Sequence, residues 1–188
     1  MHAYAPLAVD IDRSVLDWVV SHRWHPLNDV FVGLGYADKA GLVWVGLAIA
    51  GAVAVRAWRS LVLLAVMTVA TVWAADAVSF AVKDIVRRAR PEFHSAAIQP
   101  LLDVHSSSFP AGHAATSAAG AVLLSFVFPR AWPLFAVLAV AIAYSRLYVG
   151  VHYPSDVAAG AAIGVVCGAI GVLLWRVLER RRSVAVTA

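Results

Sequence analysis

Charged side chains are scarce in this sequence. Asp, Glu, Lys and Arg make up 14% of its 188 residues, whereas a soluble domain carries about 25%. Hydrophobic residues make up 62%. This balance excludes a disordered chain and weighs against a water-soluble globule. Cysteine is nearly absent too. The single Cys167 lies in an apolar run, so no internal disulfide can form and no zinc cluster can be built from cysteines. Residues 1–12 lack a basic start and an apolar core, so no cleavable signal peptide is expected. Internal repeats and low-complexity tracts are also missing. The chain reads as one all-α domain, residues 1–188: a polytopic membrane helix bundle.

A membrane-spanning helix needs about 20 mostly apolar residues. Residues 60–82 supply one such run, with Asp76 its only charge, and residues 157–175 supply an uncharged one. Residues 111–128 carry only His113. Two runs are shorter. Residues 42–55 extend backward through 31–41, which include Asp38 and Lys39, and residues 131–145 end at Arg146. Five transmembrane helices are expected. Residues 11–21 differ: Ile11, Val15, Trp18 and Val19 fall on one helical face, with Asp12, Arg13 and Asp17 elsewhere. This pattern predicts an interfacial helix within an N-terminal segment, 1–40. Packing on the bundle is the other option. The motif-bearing core spans 60–178.

Only residues 83–110 form a long connection, with three prolines and a serine run. Long loops in compact domains are often functional. Gly160, Gly164 and Gly168 form a small-residue ladder that serves packing within the bundle or a homodimer seam. Packing within the bundle is favoured. The density of arginines near 56–59, near 130 and beyond 176 predicts that these ends face the cytoplasm. The triple Arg180–Arg181–Arg182 reads first as a stop-transfer flank.

The other polar residues gather at the opposite helix ends. Lys83, Arg87, Arg88 and Arg90 follow the second span, and His113 opens the third. Ser145 and Arg146 end the fourth, and His152 and Asp156 open the fifth. In an alternating bundle these ends share one face, expected to be extracytoplasmic. Several cations with two histidines suit an anion carrying a transferable group, most simply phosphate. Helix starts near Pro110 and Pro154 add backbone N–H groups that bind phosphate. Asp156 lies four residues after His152. It can hold one ring N–H and leave the other nitrogen as nucleophile. His113 is then free to protonate a leaving group. Arg87 and Arg88 read by default as topology signals. His2, His22, His25, His94 and His105 read as inert surface residues. Asp76 is a functional candidate by its place in a span but reads first as a structural polar contact, paired indirectly with Lys83 or accepting from Ser79, Thr71 or a neighbouring helix.

Three spacings stand out. Lys83 to Pro91 has the form K-x6-R-P, Pro110-Ala111-Gly112-His113 has the form P-S-G-H with one change, and Ser145 to Asp156 has the form S-R-x5-H-x3-D. In this order they resemble the type 2 phosphatidic acid phosphatase family, which also includes bacterial acid phosphatases and vanadium haloperoxidases. The resemblance runs from about residue 60 to the end of the fifth span. It implies a phosphohistidine nucleophile at His152, an orienting carboxylate at Asp156 and a general acid at His113. It implies phosphate binding by Lys83, Arg90, Arg146 and the Gly112 backbone, and it implies no metal ion or other cofactor. Ala111 stands where the family usually has a phosphate-contacting serine, a loss of about 0.5–1.5 kcal/mol for one neutral hydrogen bond. Ser145 bonds within the site or holds the helix end.

The expected function is an integral membrane lipid phosphatase in the cell membrane. Polyprenyl diphosphate is the favoured substrate, ahead of polyprenyl-phosphoryl sugar phosphate, phosphatidate and phosphatidylglycerol phosphate. Its partners are then the lipid substrate and membrane lipids, with no nucleic acid. The alternative is a non-catalytic phospholipid-binding or transport protein, which Ala111 alone supports. A vanadate-dependent peroxidase is a third reading, disfavoured by the membrane embedding and short loops.

Overall fold

The structure is a computed structural model that describes residues 6–95 and 98–187. The described residues form helices and turns without strands. Seven α-helices follow in chain order: α1 (Pro6–Ser21), α2 (Asn28–Ala37), α3 (Leu42–Ala54), α4 (Trp58–Val86), α5 (Gly112–Val127), α6 (Trp132–Tyr148) and α7 (Pro154–Thr187).

Among the described residues, three apolar stretches are long enough to cross a membrane: Ser60–Phe93, Pro129–Tyr148 and Pro154–Arg180. The stretches His25–Ala37 and Lys39–Ala54 form one more candidate span, bent by 52°. α5 is a shorter apolar helix. The five expected segments all fall on helices, but among the described residues only three, or four with the bent pair, are long and apolar enough to span. The backward extension of the 42–55 run is not a straight helix. Ala40 and Gly41 take positive φ values of 55° and 70°, and the chain turns just after Asp38. A carboxylate in a span needs partners. Asp38 Oδ2 accepts hydrogen bonds from Thr116 Oγ1 at 2.8 Å and Ser117 Oγ at 3.2 Å. The break is thereby tied to α5.

α5 is the central helix and packs on α7, α4 and α6. Helices in lipid gain little from apolar burial, so close backbone approach matters more. The glycine ladder supplies it. Cβ atoms at Gly160 and Gly164 would come within 2.2 Å of the Ala111 and Ala115 carbonyl oxygens, and one at Gly168 within 2.7 Å of Val122 Cβ. The ladder therefore packs α7 on α5, inside the bundle. Trp44, Leu64, Val72, Leu123, Leu124, Phe135 and Ile142 fill the main core.

α1 packs against the bundle as well. Its buried face is Asp12, Leu16 and Val19, while Ile11, Val15 and Trp18 are exposed. The apolar stripe read from the sequence thus faces outward, apart from Val19. Asp12, placed off that stripe, points inward. His2 and the side chains of Arg59, Arg181 and Arg182 lie outside the described residues.

Candidate active site

Each site residue sits at a helix end or in the connection beside one. α4 closes at Arg87, whose left-handed φ of 48° and N–H bond to the Lys83 carbonyl form its C-cap. That turn reverses the chain, so Arg88 and Arg90 come back toward Lys83. α5 begins after Ala111, which is extended and makes no side-chain cap. α6 ends with Ser145 and Arg146 in its last turn, both buried. The chain then turns through Gly150, at φ 80°, and α7 starts at Pro154 with Asp156 in its first turn.

His152 and Asp156 are both buried. His152 Nδ1 lies 3.5 Å from Asp156 Oδ2 and makes no hydrogen bond of standard geometry among the described residues. Asp156 Oδ2 also accepts from Tyr153 N at 2.9 Å and from Ser108 Oγ. Asp156 Oδ1 accepts from Arg88 Nη1 at 2.6 Å. The carboxylate is thus fixed from three sides and presents one oxygen to the ring. Burial, reinforced by Arg90 and Lys83, lowers the His152 pKa to about 4, against the opposing pull of Asp156. The imidazole is neutral at neutral pH, as a nucleophile requires.

The second histidine comes from α5. His113 Nε2 is 3.2 Å from the Gly35 carbonyl oxygen of the broken span. It lies within electrostatic reach of His152, Arg146 and Lys83, so the start of α5 and the turn before α7 bring both histidines to one cluster.

The cations have a distinctive set of partners. Lys83 Nζ donates to the Ser107 carbonyl at 2.8 Å. Arg90 donates to the Ser106 carbonyl at 2.7 Å and to the Val151 carbonyl at 2.6 Å. Arg146 donates to Ser145 Oγ from Nε at 3.0 Å and from Nη2 at 2.9 Å. Ser145 Oγ in turn donates to the Ile142 carbonyl at 2.6 Å, so it holds both the helix end and the guanidinium. None of these acceptors is a carboxylate. Backbone and hydroxyl groups orient the three cations, and the carboxylates of Asp156, Asp76, Glu92 and Asp38 act on them only through space. Buried charge is costly unless it is paired, and an anion would supply the pairing.

Several contributors escape a reading by spacing. Arg88 is no mere topology signal: it bridges Asp156 and Asp12. Ser106, Ser107 and Ser108 hold Arg90, Lys83 and Asp156 respectively. The serine run beside the histidine motif was their one visible trace. Gly35 is a third case. A Cβ there would come within 2.1 Å of Arg146 Nη2, so the broken span lies directly over that guanidinium. Of the partners expected for Asp76, Lys83 feels its charge through space and Ser79 is no hydrogen-bond donor to it. Ser79 donates to the Ala75 carbonyl instead, and the exposed Asp76 lies with Oδ1 3.3 Å from where a Gly112 Cβ would sit. The three motifs do converge. Lys83, Arg90, His113, Arg146, His152 and Asp156 occupy one end of the bundle. The described residues include no cluster of His, Cys, Asp and Glu suited to a metal ion.

Comparison with known proteins gives the same picture. The chain is 38% identical over 139 residues to the decaprenylphosphoryl-5-phosphoribose phosphatase of Mycobacterium tuberculosis, covering 73% of this chain and 75% of the relative. Its fold is similar to that of a transmembrane PAP2-type phosphatidylglycerolphosphate phosphatase from Bacillus subtilis. There the TM-score is 0.71 at 23% identity, over 89% of this chain and 86% of the other. LpxE of Aquifex aeolicus gives a TM-score of 0.67 at 26% identity, over 85% and 93% of the two chains. The family model of the PAP2 superfamily matches residues 60–182, the stretch that contains all three motifs, and the chain belongs to that superfamily.

Proposed function

We propose that this protein is a membrane lipid phosphatase that cleaves a phosphate from a polyprenyl-linked substrate through a phosphohistidine at His152. The observation that carries the reading is the set of three oriented cations, Lys83, Arg90 and Arg146, without carboxylate acceptors, gathered beside two histidines. This is an anion site with a nucleophile in it.

In the proposed mechanism His152 Nε2 attacks phosphorus in line and a P–N bond forms as the P–O bond to the lipid breaks. Asp156 holds the Nδ1 side of the ring. Lys83, Arg90, Arg146 and the Gly112 N–H stabilise charge on the equatorial oxygens. His113 gives its proton to the departing oxygen. It then takes a proton from water, which attacks phosphorus, breaks the P–N bond and releases inorganic phosphate. Electrophilic stabilisation comes from the cations, and no step needs a metal.

The substrate class follows from the setting. Apolar helices surround a polar site at one end, so a head group can enter while its chain stays in lipid. The mycobacterial relative is named for a decaprenyl-linked sugar phosphate, which supports a polyprenyl carrier over a diacylglycerol lipid. Arg56 and Arg130 lie in turns at the opposite end of the bundle and Arg176, within α7, stacks on Phe126 near the end of α5, which supports an extracytoplasmic site.

The test is phosphate release by purified protein in detergent with EDTA present. The substrates are undecaprenyl diphosphate, a polyprenylphosphoryl pentose phosphate, phosphatidate and phosphatidylglycerol phosphate. Release is expected from the polyprenyl substrates, surviving EDTA and vanishing in His152→Ala. Binding of inorganic phosphate without release from any lipid would instead favour a non-catalytic lipid-binding protein.

A further inference from the structure

We propose that α1 is a working part of the active site, with Asp12 acting through Arg88 as a positioning residue for Asp156 and His152. This rests on the phosphohistidine reading of His152. α1 lies outside residues 60–182, the stretch that the family model matches, so the three motifs do not account for it.

The geometry is specific. Asp12 is 7% exposed, on the same helix face as the fully buried Leu16. A buried carboxylate costs several kcal/mol unless it is paired and hydrogen-bonded, and Asp12 is both. Its Oδ1 accepts from Ser155 N at 2.9 Å, and its Oδ2 accepts from Arg88 Nη2 at 2.8 Å and from Ser155 Oγ. Ser155 N is a free donor in the first turn of α7, so Asp12 caps that helix from another part of the chain.

Arg88 stands between two carboxylates. Nη2 meets Asp12, while Nη1 meets Asp156 Oδ1 at 2.6 Å and Ser155 Oγ at 2.7 Å. Its guanidinium lies over the Tyr153 ring at 4.0 Å. A planar fork held at both edges cannot rotate. It claims one oxygen of Asp156 and so leaves Oδ2, not Oδ1, facing His152 Nδ1. Without Asp12 the guanidinium loses one of its two carboxylate anchors, and its hold on Asp156 Oδ1 loosens while Tyr153 N and Ser108 Oγ still hold Oδ2. Leu16, packed with Ile98 and Tyr153, holds the helix in place.

Charge gives a signature that packing alone cannot. The groups facing His152 are Asp156 on α7, Lys83 on α4, Arg90 after it and His113 on α5. Arg88 acts on this set through Asp156, and Asp12 offsets Arg88. Removing Asp12 takes one negative charge from the set, leaves Arg88 on Asp156 alone and disfavours protonation of His152. Removing Arg88 does the reverse.

The experiment compares Asp12→Asn, Arg88→Gln and the double variant with the full-length wild type, in detergent. It uses steady-state kinetics and NMR titration of labelled histidines, with the His152 signal assigned from His152→Ala. Asp12→Asn is expected to lower kcat about tenfold, part of the ~100-fold that a 1 Å misplacement can cost. KM should stay within about twofold, since ground-state binding is untouched. The His152 titration should move down in Asp12→Asn and up in Arg88→Gln, and the double variant should be no slower than Arg88→Gln alone. Shifts of the same sign, multiplying rate losses, or a loss matching only the fraction unfolded would overturn the proposal. Wild-type turnover that does not depend on His152 would instead sink the phosphohistidine reading. The opposed NMR shifts would still report the Asp12–Arg88 relay.

Discussion

Gly160 of α7 sits against the carbonyl oxygen of Ala111, so close that a Cβ on the glycine would lie 2.2 Å from it. Ala111 N donates to the Asp156 carbonyl at 2.9 Å. The same contact that packs the two helices therefore sets the separation between His113 on α5 and Asp156 on α7. Packing and chemistry share a single backbone approach.

Gly160→Ala must push the helices apart, because the clashing atom is backbone. Overpacking typically costs about 1–3 kcal/mol. Thermal unfolding in detergent should show that loss, and kcat should fall as His113 and His152, the proposed acid and nucleophile, separate. Gly33→Ala is the control. It is exposed on α2 with nothing within 4 Å of its Cβ position, and a helical Gly-to-Ala change gains up to about 1 kcal/mol. Equal behaviour of the two variants would contradict this account of the ladder.

His152 makes stability depend on pH with a defined sign. Its native value is about 4, while an unfolded histidine titrates near 6.5. Between these values the unfolded chain binds a proton that the native state does not. Stability therefore falls as pH drops from about 6.5 to about 4, by up to about 3 kcal/mol from this one group. Unfolding measured across that window should show the slope, and His152→Asn should flatten it. An unchanged slope in the variant would assign the acid sensitivity to other groups.

Much of this site is legible in the sequence because its chemistry sits at fixed spacings on helix ends. Lys83, Arg90, His113, Arg146, His152 and Asp156 lie where hydrophobic runs stop, and alternation of the runs puts those ends together. The break at Asp38 is harder to read, since hydropathy counts the apolar residues on both sides and misses the Thr116 and Ser117 hydroxyls that hold the carboxylate. Arg88 and Asp12 escape for a related reason. A charge flanking a span looks the same whether lipid head groups or a buried carboxylate will meet it. Only the docking of α1, a contact 76 residues apart in the chain, separates the two. The outward turn of Ile11 and Trp18 follows from that same docking, because Asp12 and Leu16 claim the inner face.

Ala111 provides the last test. It is the N-cap of α5, with extended φ and ψ of −77° and 105° and no side-chain cap. Ser is a favoured residue at such a position, and Ala there costs about 0.5–2 kcal/mol. Ala111→Ser offers a hydroxyl to a free N–H of the first turn when the site is empty, and to phosphate when it is filled. The first contact should raise the unfolding temperature. The second, worth about 0.5–1.5 kcal/mol, corresponds to a rise in kcat/KM of roughly two- to tenfold. The hydroxyl cannot serve both partners at once. A gain in stability without a gain in rate would therefore mean that the cap holds it, and a gain in rate alone would place it on the phosphate. Loss of both would mean that the fully buried Ala111 site has no room for an oxygen, and that the bundle has closed around the methyl group.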